Sequence, residues 1–322
     1  MYQFRRNWYT NPVPLYHIRD WYHDLMPERL KYSLIMFTAG CCYGVQVPMI
    51  KTAQYAGFTT GQIMVTQYMV AAVVLILVCL LFSRVKVGFK DALRLMGMGV
   101  VAASVSFFFY QSLSLLTPAM SLTLLFQFVW MGMVVQAVKT KTPPKPATVL
   151  TVLFVVVGAV FATGILDEGV TLESLNALGI LFGFLSAVGY TAFLVLSSRL
   201  ATSLPALNRS MFSTFGSVAA SFAITPHYFA EPMVVSEPLL SAGIGVIGFF
   251  LPVVLIVLSS PKLPTGLTTV MASSELPSGV LCAAIFLGEP VTLTIGLGVV
   301  IVLLGIVASE METLRTLRRM KE

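Results

Sequence analysis

Residues 61 to 83, GQIMVTQYMVAAVVLILVCLLFS, contain no charged side chain, and runs like it recur along the whole chain. A helix needs roughly 20 apolar residues to cross about 30 Å of hydrocarbon. Ten windows come close to that length: 33–54, 61–83, 94–115, 119–138, 147–165, 176–198, 208–226, 239–260, 264–287 and 291–309. Composition agrees, since 57% of the 322 residues are hydrophobic and only 11% charged, against about 25% charged in soluble chains. The sequence predicts an all-α membrane protein with ten transmembrane helices. Thr117-Pro118 and Gly288-Glu289-Pro290 mark the shortest connections, where a proline signals the first turn of the next helix.

Cytoplasmic loops of membrane proteins collect Lys and Arg. With the N-terminus inside, the cytoplasmic segments hold Arg5, Arg6, Arg19, Arg29, Lys31, Arg84, Lys86, Lys90, Arg94, Lys139, Lys141, Lys145, Arg199, Arg209, Lys262, Arg315, Arg318, Arg319 and Lys321, which is 19 of the 20 basic residues. The opposite side receives Asp167, Glu168, Glu173, Glu231, Glu237 and Glu289, with Lys51 as its one basic residue. An even number of spans with both termini cytoplasmic follows, and a plasma membrane (bacterial inner or cell membrane) is the expected location. The net charge of +6 is then an orientation signal, and no nucleic-acid partner is expected.

The first 31 residues are polar and aromatic, so no cleavable signal peptide is expected and the first span stays in the mature chain. Leu15, Ile18, Tyr22 and Leu25 fall at helical spacing beside Trp21, which predicts a short helix lying on the membrane surface. His17, Asp20, His23 and Asp24 do not share one helix face, and no third His or Cys is near, so no metal is expected. Cys41, Cys42, Cys79 and Cys282 lie inside spans without a C-x-x-C pattern and read as small apolar packing residues.

The halves of the chain match at an offset of about 146 residues: Pro118 with Pro264, Pro144 with Pro290, Tyr43-Gly44 with Gly189-Tyr190, and Gly158 with Gly305 one position further on. Each repeat holds five spans. Five is odd, so the second copy must be inverted relative to the first, an architecture of secondary transporters whose substrate site lies near the midplane. The expected organisation is a cytoplasmic N-terminal segment with its surface helix (1–31), a first repeat (32–165), a second, inverted repeat (166–309) and a basic cytoplasmic tail (310–322).

Motifs in both halves carry a family resemblance. The first span reads Tyr43-Gly44-Val45-Gln46 and ends at Lys51; the ninth has Glu275-Leu276-Pro277, then Gly288-Glu289, with Gly298 and Gly305 in the last span. Over residues 33 to 309 the chain resembles the drug/metabolite transporter superfamily, EamA type. That family's first helix tends to read Trp-Gly, with an Asn two positions on and a Lys five further; here the Gly and Lys stand while Tyr43 and Gln46 replace the other two. There are departures: Gln67 stands where the family often has Arg in its second helix, no Pro occurs near Trp130, and Thr140-Lys141-Thr142-Pro143 replaces the Glu after the fourth helix. The resemblance implies a ten-helix carrier for small organic solutes, without naming the solute.

Glu275 is the only ionisable group between Leu263 and Gly288. A charge at the bilayer centre costs about 2.5–3.5 kcal/mol on insertion scales, so Glu275 should face the bundle interior, either lining a cavity or acting as glue between helices. Pro277 has no N–H, which deprives the Ser273 carbonyl of its helical donor. Ser273, Ser274, Glu275 and the kink therefore read as one polar site. Lys51 should stand roughly 11 Å above Glu275 at 1.5 Å rise per residue, and either snorkels to the outer surface or caps the mouth of a cavity.

Further polar and aromatic stripes occur at helical spacing: Ser104, Phe107, Gln111 and Ser114; Thr123, Gln127 and Trp130; Ser186, Tyr190, Phe193 and Ser197. Gly40 and Gly44 form a G-x-x-x-G face for close helix contact, with Tyr43 and Gln46 on another side. Converging, these stripes would build a cavity with a few polar anchors and aromatic walls. The substrate-binding set is Glu275, Ser273, Ser274, Tyr43, Gln46, Gln111, Gln127, Trp130 and Tyr190, with Gln67 and Tyr110 as weaker members. Glu275, Pro277 and Lys51 are the coupling or gating set.

The expected function is a secondary transporter, an exporter or exchanger, moving a small organic solute such as an amino acid or amphipathic amine by alternating access. Its partners would be the solute, the lipid bilayer and protons as the candidate coupling ion, with the chain acting as monomer or homodimer and using no cofactor. An enzyme is not expected: no H-E-x-x-H, no membrane Asp pair and no His in the core of a span are present. Absence of G-x-x-x-x-G-K-[ST] argues against direct ATP drive. A non-transporting structural or receptor-like membrane protein is the alternative.

Overall fold

The computed structural model describes residues 15–116, 118–168, 176–226, 238–288 and 290–319, and none of these is in a strand. In chain order the helices are α1 (Leu15–Tyr55), α2 (Thr60–Phe82), α3 (Phe89–Leu115), α4 (Pro118–Leu125), α5 (Phe128–Thr140), α6 (Pro146–Ala162), α7 (Ile165–Glu168), α8 (Ala177–Ser197), α9 (Ala206–Ile224), α10 (Pro238–Gly245), α11 (Leu251–Ser259), α12 (Thr265–Ala272), α13 (Glu275–Leu287) and α14 (Leu293–Arg319). Counting α4 with α5, α10 with α11, and α12 with α13, seven helices among the described residues are long and apolar enough to cross a membrane, and 146–162 and 293–309 add two shorter apolar helices. Large apolar side chains such as Leu81, Phe82, Ile285 and Phe286 are exposed on the outside, a surface that suits lipid better than water.

Local chemistry sets several of these ends. Thr59 and Gln62 form a reciprocal capping box at the start of α2. Asn176 Oδ1 accepts from Gly179 N–H at the start of α8. Pro146 opens α6 at its first position, where no N–H is needed.

The surface helix expected near residues 15–25 is not a separate element. The backbone runs without interruption from Leu15 to Tyr55, because the intervening LMPERLKYS lacks glycine and is made mostly of helix formers, so losing one N–H at Pro27 does not break it. At 1.5 Å per residue α1 is about 60 Å long, twice the hydrocarbon thickness. Side chains of residues 1–27, including Trp21 and the His17, Asp20, His23 and Asp24 group, lie outside the described residues.

Small residues fix the closest approaches. A Cβ on Gly40 would strike Ser274 Oγ and the Ala272 carbonyl, and one on Gly44 would strike Ser278 Oγ and the Glu275 carbonyl. Ser274 Oγ donates to the Phe37 carbonyl at 2.7 Å and Ser278 Oγ to that of Cys41 at 3.3 Å. The G-x-x-x-G face of α1 is thus pressed against α12 and α13, as the spacing of the two glycines implies. Gly158 and Gly298 do the same between α6 and α14.

Two helices break in matching register. The pair α12/α13 is interrupted at Ser273-Ser274 and the pair α4/α5 at Phe126-Gln127; each boundary of the later pair falls 147 residues after that of the earlier one. Both pairs end on a left-handed residue, Lys141 at φ 53° and Gly288 at φ 67°.

Candidate functional site

Around Glu275 the break in α12/α13 decides where each polar group goes. Pro277 cannot donate to Ser273, and the Ser273 carbonyl instead accepts from Leu276 N–H at 3.2 Å. The carbonyl expected to be left without a donor is therefore satisfied by a tighter, three-residue turn. Ser273 Oγ donates to the Val270 carbonyl at 2.5 Å, and Ser274 Oγ is taken by Phe37. Both serines are fully buried. Ser274 staples the break to α1 while Ser273 closes on its own helix, and the expected single polar site reduces to Glu275.

Glu275 itself sits between two cavities and is on the wall of both. The smaller, about 80 Å³, is lined by Tyr43, Gln46, Gln67, Ser106, Phe109, Tyr110, Tyr190, Phe193, Phe249 and Glu275, among others. Among the described residues no Lys or Arg lines it, and Glu275 is its one ionic group. The Tyr43 and Tyr190 rings meet edge to face at 6.1 Å, and Phe128 backs Tyr190 at 4.7 Å. Both phenols lie within electrostatic range of the Glu275 carboxyl. No described residue forms a hydrogen bond or ion pair with that carboxyl.

The amide wall comes from α1 and α2. Gln46 Nε2 donates to Gln67 Oε1 at 2.8 Å, while Gln67 Nε2 and the Tyr190 hydroxyl are buried without a hydrogen-bond partner. Tyr68 and Tyr110 flank the Gln67 amide, and Tyr68 donates to Ser106 Oγ at 2.8 Å. Packed against this wall, residues Val246–Phe250 form a π-helical turn between α10 and α11. A Cβ at Gly248 there would meet the Gln46 side chain, so the glycine lets that amide lie flat against the turn while Phe249 faces the cavity. Bulges of this kind recur at functional sites. Buried donors with no partner are costly, of order 1–3 kcal/mol each; the Tyr190 hydroxyl, from α8, is such a donor on the cavity, while the Gln67 amide keeps the Tyr68 and Tyr110 hydroxyls within reach.

The larger cavity, about 390 Å³, shares Val47 and Glu275 with the first and continues past Gly279 and Ala283 to Lys51, Asp167 and Thr292. Lys51 is therefore on a cavity wall. At that end Thr292 Oγ1 and Asp167 Oδ2 are 2.5 Å apart, tying the start of α14 to α7.

Other expected site residues are elsewhere. Gln127 Nε2 donates to the Thr123 carbonyl and accepts through Oε1 from the Trp130 indole at 2.9 Å; this clip supports the break in α4/α5 and leaves both residues off the cavity walls. Gln111 is half-buried and lines none of the cavities described here. The cavity face of α3 carries Ala102, Val105, Ser106, Phe109 and Tyr110, rotated from the stripe Ser104, Phe107, Gln111, Ser114; Ser104 and Ser114 bond to carbonyls of their own helix. In α8, Tyr190 and Phe193 face the cavity, whereas Ser186 bonds to the Gly183 carbonyl and Ser197 to Ser260. Phe249 and Ser106 were missed, the first because nothing in VIGFF codes for a π turn, the second because α3 has mixed polar and aromatic residues on two faces.

No protein-family model matches the chain, and no curated protein matches it. Among solved structures 29 chains match. One of them, described in no more specific words than "Crystal structure of protein", superposes with a TM-score of 0.73 at 17% identity, covering 91% of this chain and all of its own. At that identity the likeness concerns the fold alone. Among the described residues, the fold and cavities define a helical, membrane-type protein in which Glu275 is the one carboxyl on the wall of the aromatic cavity.

Proposed function

We propose that the protein is a secondary transporter that moves a small organic solute, carrying an amine beside an apolar body, across the plasma membrane by alternating access, as an exporter or exchanger. The observation that carries this reading is Glu275, the one ionic group among the described residues of an aromatic cavity and, with Val47, a residue that cavity shares with a second, larger one. A carboxyl so placed can contact a cationic group of a solute, or carry a proton, as access passes from one cavity to the other.

The ten-span, inverted-repeat architecture belongs to the same proposal. It is supported by the matched breaks in α4/α5 and α12/α13 and by packing that maps onto itself when the halves are exchanged: α3 on α8 answers α11 on α1, α3 on α9 answers α10 on α2, and α5 on α8 answers α13 on α1. The Gly44, Lys51, Glu275-Leu276-Pro277 and Gly288-Glu289 motifs point the same way, towards an EamA-type drug/metabolite transporter. Inverted repeats with discontinuous helices at their interface are a recurring carrier design.

The test is uptake into proteoliposomes of a labelled panel of amino acids, amines and nucleobases, with dianionic sugars and phosphates as the contrast. Saturable movement of an amine-bearing solute supports the reading. Transport restricted to dianions would sink the substrate class, since no cation lines the small cavity, and no transport of any solute favours a structural or receptor-like protein.

A further inference from the structure

Tyr190 puts a hydrogen-bond donor on the wall of the small cavity with nothing to receive it. The residue is 5% exposed, and among the described residues its hydroxyl has no hydrogen-bond partner. The ring is held where it is by two edge-to-face contacts, with Phe128 at 4.7 Å and Tyr43 at 6.1 Å. Neighbouring polar groups are engaged among themselves: Gln46 bonds to Gln67 and Tyr68 to Ser106, and the Tyr110 hydroxyl keeps within reach of the Gln67 amide. Resting on the transporter reading above, we propose that the Tyr190 hydroxyl selects solutes in which a neutral hydrogen-bond acceptor, an amide carbonyl or a hydroxyl, stands beside the amine. The class is amino amides and amino alcohols, ahead of plain alkylamines and of amino acids.

Elementary hydrogen-bond chemistry separates these guests. The Glu275 carboxyl is within electrostatic range of both phenols, so an ammonium drawn to it arrives beside Tyr190. An ammonium only donates hydrogen bonds. A plain alkylamine therefore leaves the phenol proton as unplaced as before, whereas a carbonyl or hydroxyl oxygen on the neighbouring carbon accepts it. A site whose buried donor goes unmatched discriminates strongly against the analogue that lacks the acceptor. An amino acid also offers an acceptor, but its carboxylate would be buried near the Glu275 carboxyl. Among the described residues no Lys or Arg on the cavity wall offsets that repulsion.

The experiment measures binding rather than transport, on the full-length protein in mild detergent. Isothermal titration calorimetry compares isobutylamine, valinamide and valine, which share one apolar body and differ in the group beside the amine. Valinamide is expected to bind about tenfold more tightly than isobutylamine, as a single neutral hydrogen bond implies, with valine weakest. In Tyr190→Phe the valinamide advantage should vanish while the isobutylamine Kd stays unchanged. Tyr190→Leu, which also lacks the donor, gives the same reading of the advantage if the first variant folds poorly. Equal affinity of the wild type for isobutylamine and valinamide overturns the proposal and leaves the amine-transporter reading intact. So does an advantage that persists without the hydroxyl, or a loss in Tyr190→Phe shared equally by the two probes, which would make the hydroxyl structural. Tightest binding of valine overturns the neutral-acceptor class, and no binding of any probe overturns both this proposal and the amine reading.

Discussion

Gln46 Nε2 donates to Gln67 Oε1 at 2.8 Å, a bond between two buried amides that joins α1 to α2 and fixes one wall of the small cavity. Such bonds within membrane bundles contribute about 0.6 kcal/mol on average, so the pair is a weak clamp. Its value lies in holding the Gln67 carboxamide by its oxygen, which leaves Nε2 on the cavity side. Gln67→Leu, similar in size, is expected to raise the KM for a transported solute several-fold while lowering stability by only about 1 kcal/mol. Uptake against concentration and a thermal melt check this together, and a large loss of stability with unchanged KM would make the amide purely structural.

Glu275→Gln preserves shape and hydrogen-bonding capacity while removing the charge. With protons as the coupling ion, accumulation driven by a pH gradient is expected to disappear while exchange of labelled for unlabelled solute survives. Loss of solute binding as well would assign the carboxyl to the cationic group of the solute. If the folded variant transports with unaltered rate and pH dependence, Glu275 only holds helices together.

Gly44→Ala is expected to destabilise the protein by about 1–3 kcal/mol, the range for overpacking, because the new methyl meets the Glu275 carbonyl and Gly279 backbone nitrogen, neither of which can swing away. Gly97→Ala, in α3 with open space around it, should be neutral or stabilising by up to about 1 kcal/mol. Parallel melts in detergent make the comparison, and similar values for the two would undo the close-contact account.

Arg209 is buried at 2% exposure and donates to the Val257 carbonyl at 2.8 Å, to that of Leu200 at 3.0 Å and to that of Ser197. It joins the end of α8 and the chain that follows it to α9 and α11, a role its basic character alone did not suggest. Arg209→Leu should cost about 2–3 kcal/mol, since buried carbonyls lose their donor. Arg209→Lys, which cannot reach three carbonyls from one planar group, should recover only part of it by the same melt.

The proposed orientation, with both termini cytoplasmic, rests on the sorting of basic residues. In a background without the four native cysteines, cysteine at Glu168 should react with an impermeant thiol reagent on intact cells, whereas cysteine at Lys141 should react only after lysis. Equal labelling would mean that the chain crosses the membrane a different number of times.

Much of this arrangement was readable from the chain. Gly40 and Gly44, four apart, read as a face for close helix contact, and Glu275, isolated among apolar residues, was expected to point inwards. Pro277 announced one helix break. The break at Phe126-Gln127 has no proline and no glycine; it is held by bonds such as Gln127 to Thr123 and by packing, which local sequence does not encode. α3 misled for a related reason: its two candidate faces carry similar mixtures of Ser, Phe, Tyr and Gln, so periodicity could not choose the phase. The π turn at Val246–Phe250 depends on what Gly248 packs against, a residue some 200 positions away in the chain.

The matched breaks have one more consequence. Position 147 residues before Glu275 is Phe128, which also opens the second half of a broken helix and backs Tyr190. The two broken helices thus match in register while their charge does not: one equivalent seat holds a carboxyl, the other a benzene ring. A dipolar guest in such a frame has one favoured heading, its positive end towards α13 and its oily end towards α5. On the proposed transporter reading, the matched breaks would supply a hinge that treats both directions alike, and the carboxyl at one of the two seats would supply the compass.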